Sequence, residues 1–493
     1  MTGKPPNGDG GVRETHISVL LFLEERVVKI RKPLRLDFVD FSSFDARAKD
    51  CRREVDLNRR LSPDVYLGVG EITMDGEVLE HCVVMRRLPA ERSLARRVRE
   101  KQVKVWQDDL RAVAQTLGDF HSQADRSAEI SRAATVEAIG RQFDANVEAM
   151  ERFGRESLDP VRHQAVVEGV RHFLQVRAPI FSGRIDGGYI CDGHGDLQAG
   201  DIYCMDDGPR ILDCLEFNDE LRYGDIAADV AFLIMDLERL GFRPAAVEFL
   251  RCYEEVARAH VPRSLLHFYI ALRAYVRCKV ACLRHEQGDP EAGGEAARLV
   301  ALAQSHLESA RIRLVLVGGL PGSGKSTLAT ALGDVIGAPV LRSDEFRRRL
   351  DGTAVGSAAS DVFGGGRYTP DRAQSVYDAL LETARTSLQR GDSVIVDASW
   401  IDATHRDQAR RLAKETAVDV FEMHCTAPAE VTEGRIEGRR RKGSDPSEAT
   451  VEVARAMREI EQPWPSAVSV DTDRPLEHVL AKVLGLMGLP GRT

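Results

Sequence analysis

The sequence predicts a chain of two unlike halves: an α+β part with strands in front and helices behind, then an α/β part built on a parallel sheet. Short β-branched runs cluster between residues 18 and 85 and give way to helical periodicity from Leu94 to about Ala178. From residue 312, apolar strands at 312–317, 339–341, 394–397 and 418–424 alternate with helical segments, as in a parallel sheet joined by crossover helices. Length agrees, since 493 residues exceed one core. At about 150 residues per domain they make roughly three compact units, which a two-lobed part plus one further domain would fill.

Composition narrows the class. With 43% apolar and 29% charged residues the chain reads as globular rather than disordered. A net charge of -9 argues against a general nucleic-acid binder, because phosphate backbones select basic faces. The nine cysteines are scattered singly, without the paired spacing of a zinc site, and read as reduced, mostly buried thiols. The start, MTGKPPNGDGGVRE, lacks the apolar core of a signal peptide, and no run approaches the ~18 apolar residues of a membrane span. A cytoplasmic protein without membrane partners is expected.

In chain order, a Gly/Pro-rich tail precedes SVLLFLEERVVKIRKPL (18–34), two strands around a Glu-Glu-Arg turn with Lys29 inside the second. Strong helix formers over 47–61 predict a helix carrying Glu54. The runs YLGVGEITMDG and EVLEHCVVMRR read as two more strands. Over 192–219 the texture changes to short loop and strand pieces dense in acids, and helix resumes at Ile226. The polar loop EQGDPEAGG (286–294) and one helix lead to RIRLVLVGG, a buried strand opening a new core. The domains are therefore expected at 14–308, with a front lobe of about 14–88 and a rear lobe of about 89–308, and at 309–493. No internal repeat is visible.

The strand 312–317 runs into GLPGSGKST, which fits G-x-x-x-x-G-K-[ST] with a helix beginning at about Ser326. Gly319, Gly322 and Gly324 let backbone N–H groups converge on phosphate oxygens, with Ser323 and Thr327 in the same run. Lys325 would reach the terminal phosphates and Ser326 a Mg²⁺ ion. LRSDEFRRRL then puts Asp344 just past a second strand and Arg347 one turn along a helix. This combination resembles P-loop kinases of the polynucleotide kinase, gluconate kinase and zeta-toxin group. The resemblance implies that Asp344 receives the proton of the accepting hydroxyl and that Arg347 holds the acceptor. A plainer reading is an N-cap Asp before a solvated basic helix face. VIVDASW ends its strand in Asp397, a candidate for Mg²⁺ coordination through water. GRIEGRRRKGSDPSEA (434–449) resembles the lid of that group, where Arg435 and Arg439 would reach over the transferring phosphate. A basic nucleic-acid-binding run is the rival reading. Four-residue spacing puts the two arginines on one helix face.

Upstream stands HGDLQAGD (194–201). Phosphoryl transfer in kinase-like folds uses a strand lysine on the phosphates, a helix Glu to position it, a catalytic Asp and two metal ligands. Lys29, Glu54, Asp196, Asp201 and Asp213 fill these slots in order. Singly, Lys29 reads as a solvated edge residue, Glu54 as surface and His194 as structural. Together they resemble the aminoglycoside phosphotransferase-like and choline-kinase-like branch, whose loop reads H-G-D-x-x-x-x-N. GDIAADVAFL (224–233), with Asp225 and Asp229 opening a helix, resembles the segment that braces that loop. Two departures stand out. Asp201 replaces the metal-binding Asn, and Arg31 and Lys32 compete with Lys29 for the phosphate role. The turn at Glu24 and Glu25 is acidic rather than glycine-rich, but phosphotransferases of this branch often lack a glycine-rich loop. An Asp still offers oxygen to a hard cation.

Both halves together resemble bacterial two-domain proteins that join an aminoglycoside phosphotransferase-like kinase to a P-loop kinase or ATP-binding domain. The resemblance implies a bifunctional ATP- and Mg²⁺-dependent phosphotransferase acting on small hydroxylated metabolites of sugar, aminosugar, sugar-acid or nucleoside type. A rival reading, from the Asp201 replacement, makes one half a catalytically weak nucleotide sensor that regulates the other.

Overall fold

The structure is a computed structural model and describes residues 11–15, 17–36, 39–100, 103–153, 158–257, 260–351, 370–442 and 450–489. It divides into two units. The first runs to Val261 and resumes over Leu266–His306; the second comprises Pro262–Leu265 and the chain from Leu307 on.

In the first unit, five antiparallel strands lie in the order Gly11–Glu14, Ser18–Phe22, Arg26–Arg31, Glu77–Arg86, Tyr66–Met74. The strand Gly11–Glu14 falls in the segment expected to be a tail. It pairs through backbone with Val19–Phe22 while its side chains are largely exposed, so it carries no apolar alternation to read. In Arg26–Arg31 the inward row is Val27, Lys29 and Arg31, so period two turns both cations toward the core. Facing them is the helix Phe44–Asn58, which starts three residues ahead of the expected 47. Ser43 sets that start: its Oγ accepts from Ala46 N at 3.2 Å, a serine N-cap. The helix buries Cys51 and Val55 against Val27, Val65, Tyr66, Val83 and Met85, which fixes Glu54 on the same inward face.

Behind this sheet the unit is helical, apart from two short ribbons. Ile190–Asp192 pairs with Tyr223–Asp225, and Ile202–Met205 with Gly208–Ile211, so the segment 193–201 is tethered at both ends. Beneath it runs the helix Ile226–Arg239, apolar around most of its circumference and buried over Ile226–Leu237. Its only acids within that stretch, Asp229 and Asp236, are therefore buried with it.

The second unit is a five-stranded parallel sheet in the order Val340–Arg342, Val394–Asp397, Arg313–Gly318, Asp419–Thr426, Val468–Asp471. Its central strand is buried throughout, as expected for a sheet covered on both faces. The fifth strand, VSVD, lies beyond the four that the sequence predicts; its four residues are too few and too mixed for a periodic signal. The helix Lys325–Ile336 follows the central strand and packs Leu328, Ala329 and Leu332 against Val315, Val317 and Ile395. All nine cysteines are free and buried. No helix among the described residues is long and apolar enough to cross a membrane.

Candidate functional sites

In the first unit the inward row of Arg26–Arg31 meets the helix acid and the loop acids. Lys29 Nζ donates to Glu54 Oε1 and to Asp213 Oδ1, both at 2.8 Å. Burial opposes the ammonium charge, but Asp213 and Glu54 outweigh it and hold Lys29 protonated well beyond its ordinary range. Lys32 turns away to Glu14. Arg31 instead ties several acids together, donating to Asp50 Oδ2 at 2.6 Å, Glu54 Oε2 at 2.6 Å and Ser18 Oγ at 2.8 Å, and also binding Glu216. The carboxylates of Asp50, Glu54 and Glu216 come close enough together for a metal, yet the Arg31 guanidinium already fills that position. Glu54 is thus clamped from two sides, one oxygen on Arg31 and the other on Lys29. The strand and helix period puts Arg31 beside Lys29, so this hub had a sequence signal; Glu216, from a loop, had none.

The catalytic-loop candidates converge beside it. Burial pushes the Asp196 carboxyl up to about 6, against the pull of Arg277 and Arg273. Gln198 Nε2 donates to Asp196 Oδ2 at 3.0 Å. Burial, then the charges of Asp213 and Asp196, raise Asp201 well above the carboxylate range. Asp213 moves the other way, because Lys29 holds it ionised against burial. Its side chain is 48% exposed, open to a ligand on the side away from Lys29. Asp213 also has a backbone φ of 64°, an unusual conformation for a side chain-bearing residue, held by its N–H donating to Tyr66 Oη at 3.2 Å. Three acids crowding one another is the electrostatic setting a divalent cation relieves, so the residues fit Mg²⁺.

What holds the loop in place is Asp229. Its Oδ2 accepts from His194 N at 2.7 Å and its Oδ1 from Gly195 N at 2.9 Å, while His121 Nε2 lies 3.2 Å from Oδ2. Burial works against its charge, but His121 and His194 outweigh it and hold the carboxyl well below the usual range. The fit is close: a Cβ on Gly193 would lie 2.5 Å from Asp229 Oδ2. Further along the same helix, Asp236 Oδ2 accepts from Ala199 N at 2.9 Å. Asp225 instead caps its helix through Ala227 N at 2.8 Å and pairs with Arg184 at 2.6 and 2.7 Å.

In the second unit, Gly319, Gly322 and Gly324 have φ of 137°, 82° and 83°. A Cβ at Gly322 would lie 2.4 Å from Thr432 O, so the turn needs glycine there on space as well as dihedral. Lys325 opens the helix and makes no hydrogen bond or ion pair with any described residue. Ser323 Oγ and Asp397 Oδ1 are buried without a hydrogen-bond partner among the described residues. Burial raises the Asp397 carboxyl, with Lys325 and the Ser326 hydroxyl pulling it down and Asp344 adding to the rise. An orphaned carboxylate oxygen beside a serine hydroxyl, under a loop of turned backbone, fits Mg²⁺ and phosphate. Thr327 is exposed on the next position.

Asp344 lies inside the first turn of the helix Ser343–Asp351 rather than at its cap, and Arg347 Nη1 donates to its Oδ1 at 2.8 Å. Arg435 sits against the loop itself: its Nη2 donates to Thr472 O at 3.0 Å, and Thr472 Oγ1 donates to Ser323 O at 2.5 Å. Arg439, half-buried, follows one turn on in the helix Ala429–Lys442; the remainder of the expected lid, 443–449, lies outside the described residues. A cavity of about 340 Å³ lined by Arg410, Glu422 and Ser466 contains none of the predicted site residues.

Residues 314–463 match the AAA domain family. Over 472 residues, 95% of this chain and 93% of that protein, the sequence is 40% identical to the uncharacterized protein Rv2004c of Mycobacterium tuberculosis. It is 31% identical over 127 residues, 24% of this chain and 73% of that protein, to a shikimate kinase of Corynebacterium glutamicum. Among solved structures, a choline/ethanolamine kinase family protein from Mesorhizobium loti is 12% identical and covers 61% of this chain and 92% of that chain, with a TM-score of 0.39. The architecture is an α+β unit, a five-stranded antiparallel sheet followed by helices, and then a parallel-sheet unit that carries the glycine-rich phosphate-loop motif and the AAA domain match.

Proposed function

Since this chain belongs to the family of the Mycobacterium tuberculosis protein Rv2004c, which it matches over 95% of its length, we propose that it is an ATP- and Mg²⁺-dependent phosphotransferase with a site in each unit. The acceptors are small hydroxylated metabolites. The observation that carries this reading is the clamp on Lys29, bonded at 2.8 Å to both Glu54 and Asp213, with Asp196 and Asp201 in the same electrostatic cluster.

Upstream, Lys29 binds donor phosphates, and Glu54, fixed by Arg31, keeps it in place. Asp196 orients the acceptor hydroxyl and takes its proton; Gln198 occupies Oδ2 and leaves Oδ1 for that contact. Asp201 and Asp213 would hold Mg²⁺. Downstream, the backbone of Gly319–Ser326 and Lys325 cradle phosphate, Ser326 would hold Mg²⁺ directly, and Asp397 would do so through water. Arg435, braced on Thr472, adds positive charge at the loop. Asp344 takes the acceptor proton there, and Arg347, which orients Asp344 at 2.8 Å, also reaches the acceptor. Arg439 serves the transferring phosphate. Bound Mg²⁺ supplies neutralisation of the phosphate charge at both sites.

The test is a metabolite library incubated with ATP and the full chain, read for mass gain of one phosphoryl group. Lys325→Ala and Asp196→Asn assign any product to its unit. Slow ATP hydrolysis with no product from any acceptor would overturn the reading. It would favour the regulatory alternative, which the Asp201 replacement motivates.

A further inference from the structure

Three strands of the parallel sheet are in register at one level: Asp397 pairs with Val317 on one side and with Arg342 on the other. Two residues beyond these positions stand Ser399, Gly319, which opens the cradle, and Asp344, the proposed proton acceptor. Because the strands are parallel, all three emerge at the C-terminal edge, where open α/β sheets bind ligands. On the cradle side the pairing continues that far, since Gly319 N donates to Ser399 O at 3.1 Å. Ser399 therefore lies between the phosphate cradle and Asp344, and it is half-buried.

The turn that presents Ser399 is strained and held from three directions. Trp400 has a backbone φ of 55°, an outlier for so bulky a side chain. It is fully buried; its N–H donates to Tyr377 Oη at 3.1 Å, its indole Nε1 to Val396 O at 3.2 Å, and its carbonyl accepts from Arg406 Nη1 at 3.3 Å. Tyr377 is buried as well, and its hydroxyl, having accepted from Trp400, still has its own proton to place. The other oxygen within its reach among the described residues is Ser399 Oγ, at 3.4 Å. With one lone pair met by Tyr377, Ser399 keeps its own O–H, which is bonded to no acceptor among the described residues. The strain thus secures a spare hydroxyl donor at the edge between cradle and acid.

We propose that Ser399 is a further phosphate-binding residue of the second unit. Its hydroxyl donates to an oxygen of the donor's terminal phosphate, the group that passes from cradle to acceptor, and Tyr377 is the positioning residue that orients it. This deepens the reading above and rests on it. An anionic oxygen between cradle and base is the acceptor that the hydroxyl lacks, and a hydrogen bond to a charged oxygen is stronger than one to a neutral group. The consequence is selectivity for a nucleoside triphosphate over a diphosphate, since the diphosphate lacks the group that Ser399 serves.

The probes are ADP and a non-hydrolysable ATP analogue, each titrated calorimetrically with Mg²⁺ into the full chain; the component that Lys325→Ala weakens belongs to the second unit. Within that component Ser399→Ala is expected to weaken the analogue about tenfold, as for the loss of one hydrogen bond to a charged group, while ADP affinity stays unchanged. Ser399→Thr, which keeps the hydroxyl, should hold the analogue's affinity, and Tyr377→Phe should lose part of it, again with ADP unmoved. A residue that only braced the cradle would move both nucleotides together, and that outcome overturns the proposal. An analogue-to-ADP ratio that Ser399→Ala leaves at its wild-type value overturns it too, with the cradle reading intact. A titration with no Lys325-dependent component overturns the cradle reading itself and the proposal with it.

Discussion

Replacing Asp229 by Asn tests whether the loop HGDLQAGD is held by one carboxylate. The wild-type side chain is 5% exposed and gives His194 and Gly195 a separate oxygen each, at 2.7 and 2.9 Å. An Asn has one oxygen, so whichever amide it serves, its NH₂ faces the other backbone N–H. The lost bond was to a charged acceptor, about 1.5–3 kcal/mol, and the orphaned buried N–H costs about 1–3 kcal/mol more. Water cannot replace it, because the carboxylate already lies within 2.5 Å of where a Cβ on Gly193 would be. The sum is roughly 2.5–6 kcal/mol, or roughly 5–12 °C in the transition of the first unit at about 2 °C per kcal/mol. Calorimetry of the full chain reads that shift. Hydrogen exchange at the His194 and Gly195 amides reads it locally, with peptides of the second unit as internal reference. A loss below about 1 kcal/mol, with unchanged protection at both amides, would refute the brace. The pH dependence has a definite sign. The folded pKa of Asp229 is depressed, so its contribution is complete above the unfolded value of about 4 and is lost as pH falls through the folded value. The Asn variant should therefore lose part of the wild-type acid sensitivity.

Further outcomes follow from the two sites. Lys325→Ala should weaken nucleotide binding by the second unit at least tenfold, about 1.4 kcal/mol; calorimetry that finds undiminished binding there rejects the cradle. Asp344→Asn should lower transfer by the second unit about 10²–10⁴-fold with nucleotide affinity little changed, as for a group acting in the transition state; a matched loss of affinity and turnover would make Asp344 a structural element. Asp201→Asn should keep upstream transfer, whereas Asp201→Ala should raise the Mg²⁺ concentration needed; an unmoved Mg²⁺ dependence in Asp201→Ala removes Asp201 from the metal set. Arg31→Met should destabilise the first unit by about 3–5 kcal/mol, because Asp50 and Glu216 would be left as buried uncompensated charges and Glu54 would keep only Lys29; denaturant melts giving less than about 1 kcal/mol would show that the hub is dispensable.

The order and spacing of Lys29, Glu54, Asp196, Asp201 and Asp213 were legible because each sits where a period or a motif puts it: an inward strand position, a helix face, a loop, a strand end. The glycine cradle was legible for the same reason, since its dihedrals admit few other residues. Features built from distant segments were not. Arg31 draws its partners from a neighbouring strand, a helix and a loop, and only the helix and strand faces repeat in the sequence. Gly11–Glu14 and Val468–Asp471 gain their pairing from neighbours rather than from their own pattern.

The two lysines proposed to bind phosphate stand in opposite states, and the difference bears on how each unit would meet its ligands. Lys325 acts on Asp397 only through its charge and makes no hydrogen bond or ion pair with a described residue, and the cradle around it is shaped by glycine backbone, so phosphate can enter without breaking a hydrogen bond. Lys29 is bonded twice, and one of its partners, Asp213, is also a metal-ligand candidate. A cation approaching Asp213 must share a carboxylate whose Oδ1 already lies 2.8 Å from an ammonium, and it does so from the exposed side of a side chain that is 48% open. Donor phosphates reaching Lys29 relieve that competition, because they offer the lysine the anion that the cation takes away. Phosphate and cation should therefore enter the upstream site cooperatively, each lowering the cost of the other, whereas the downstream cradle is open to phosphate alone.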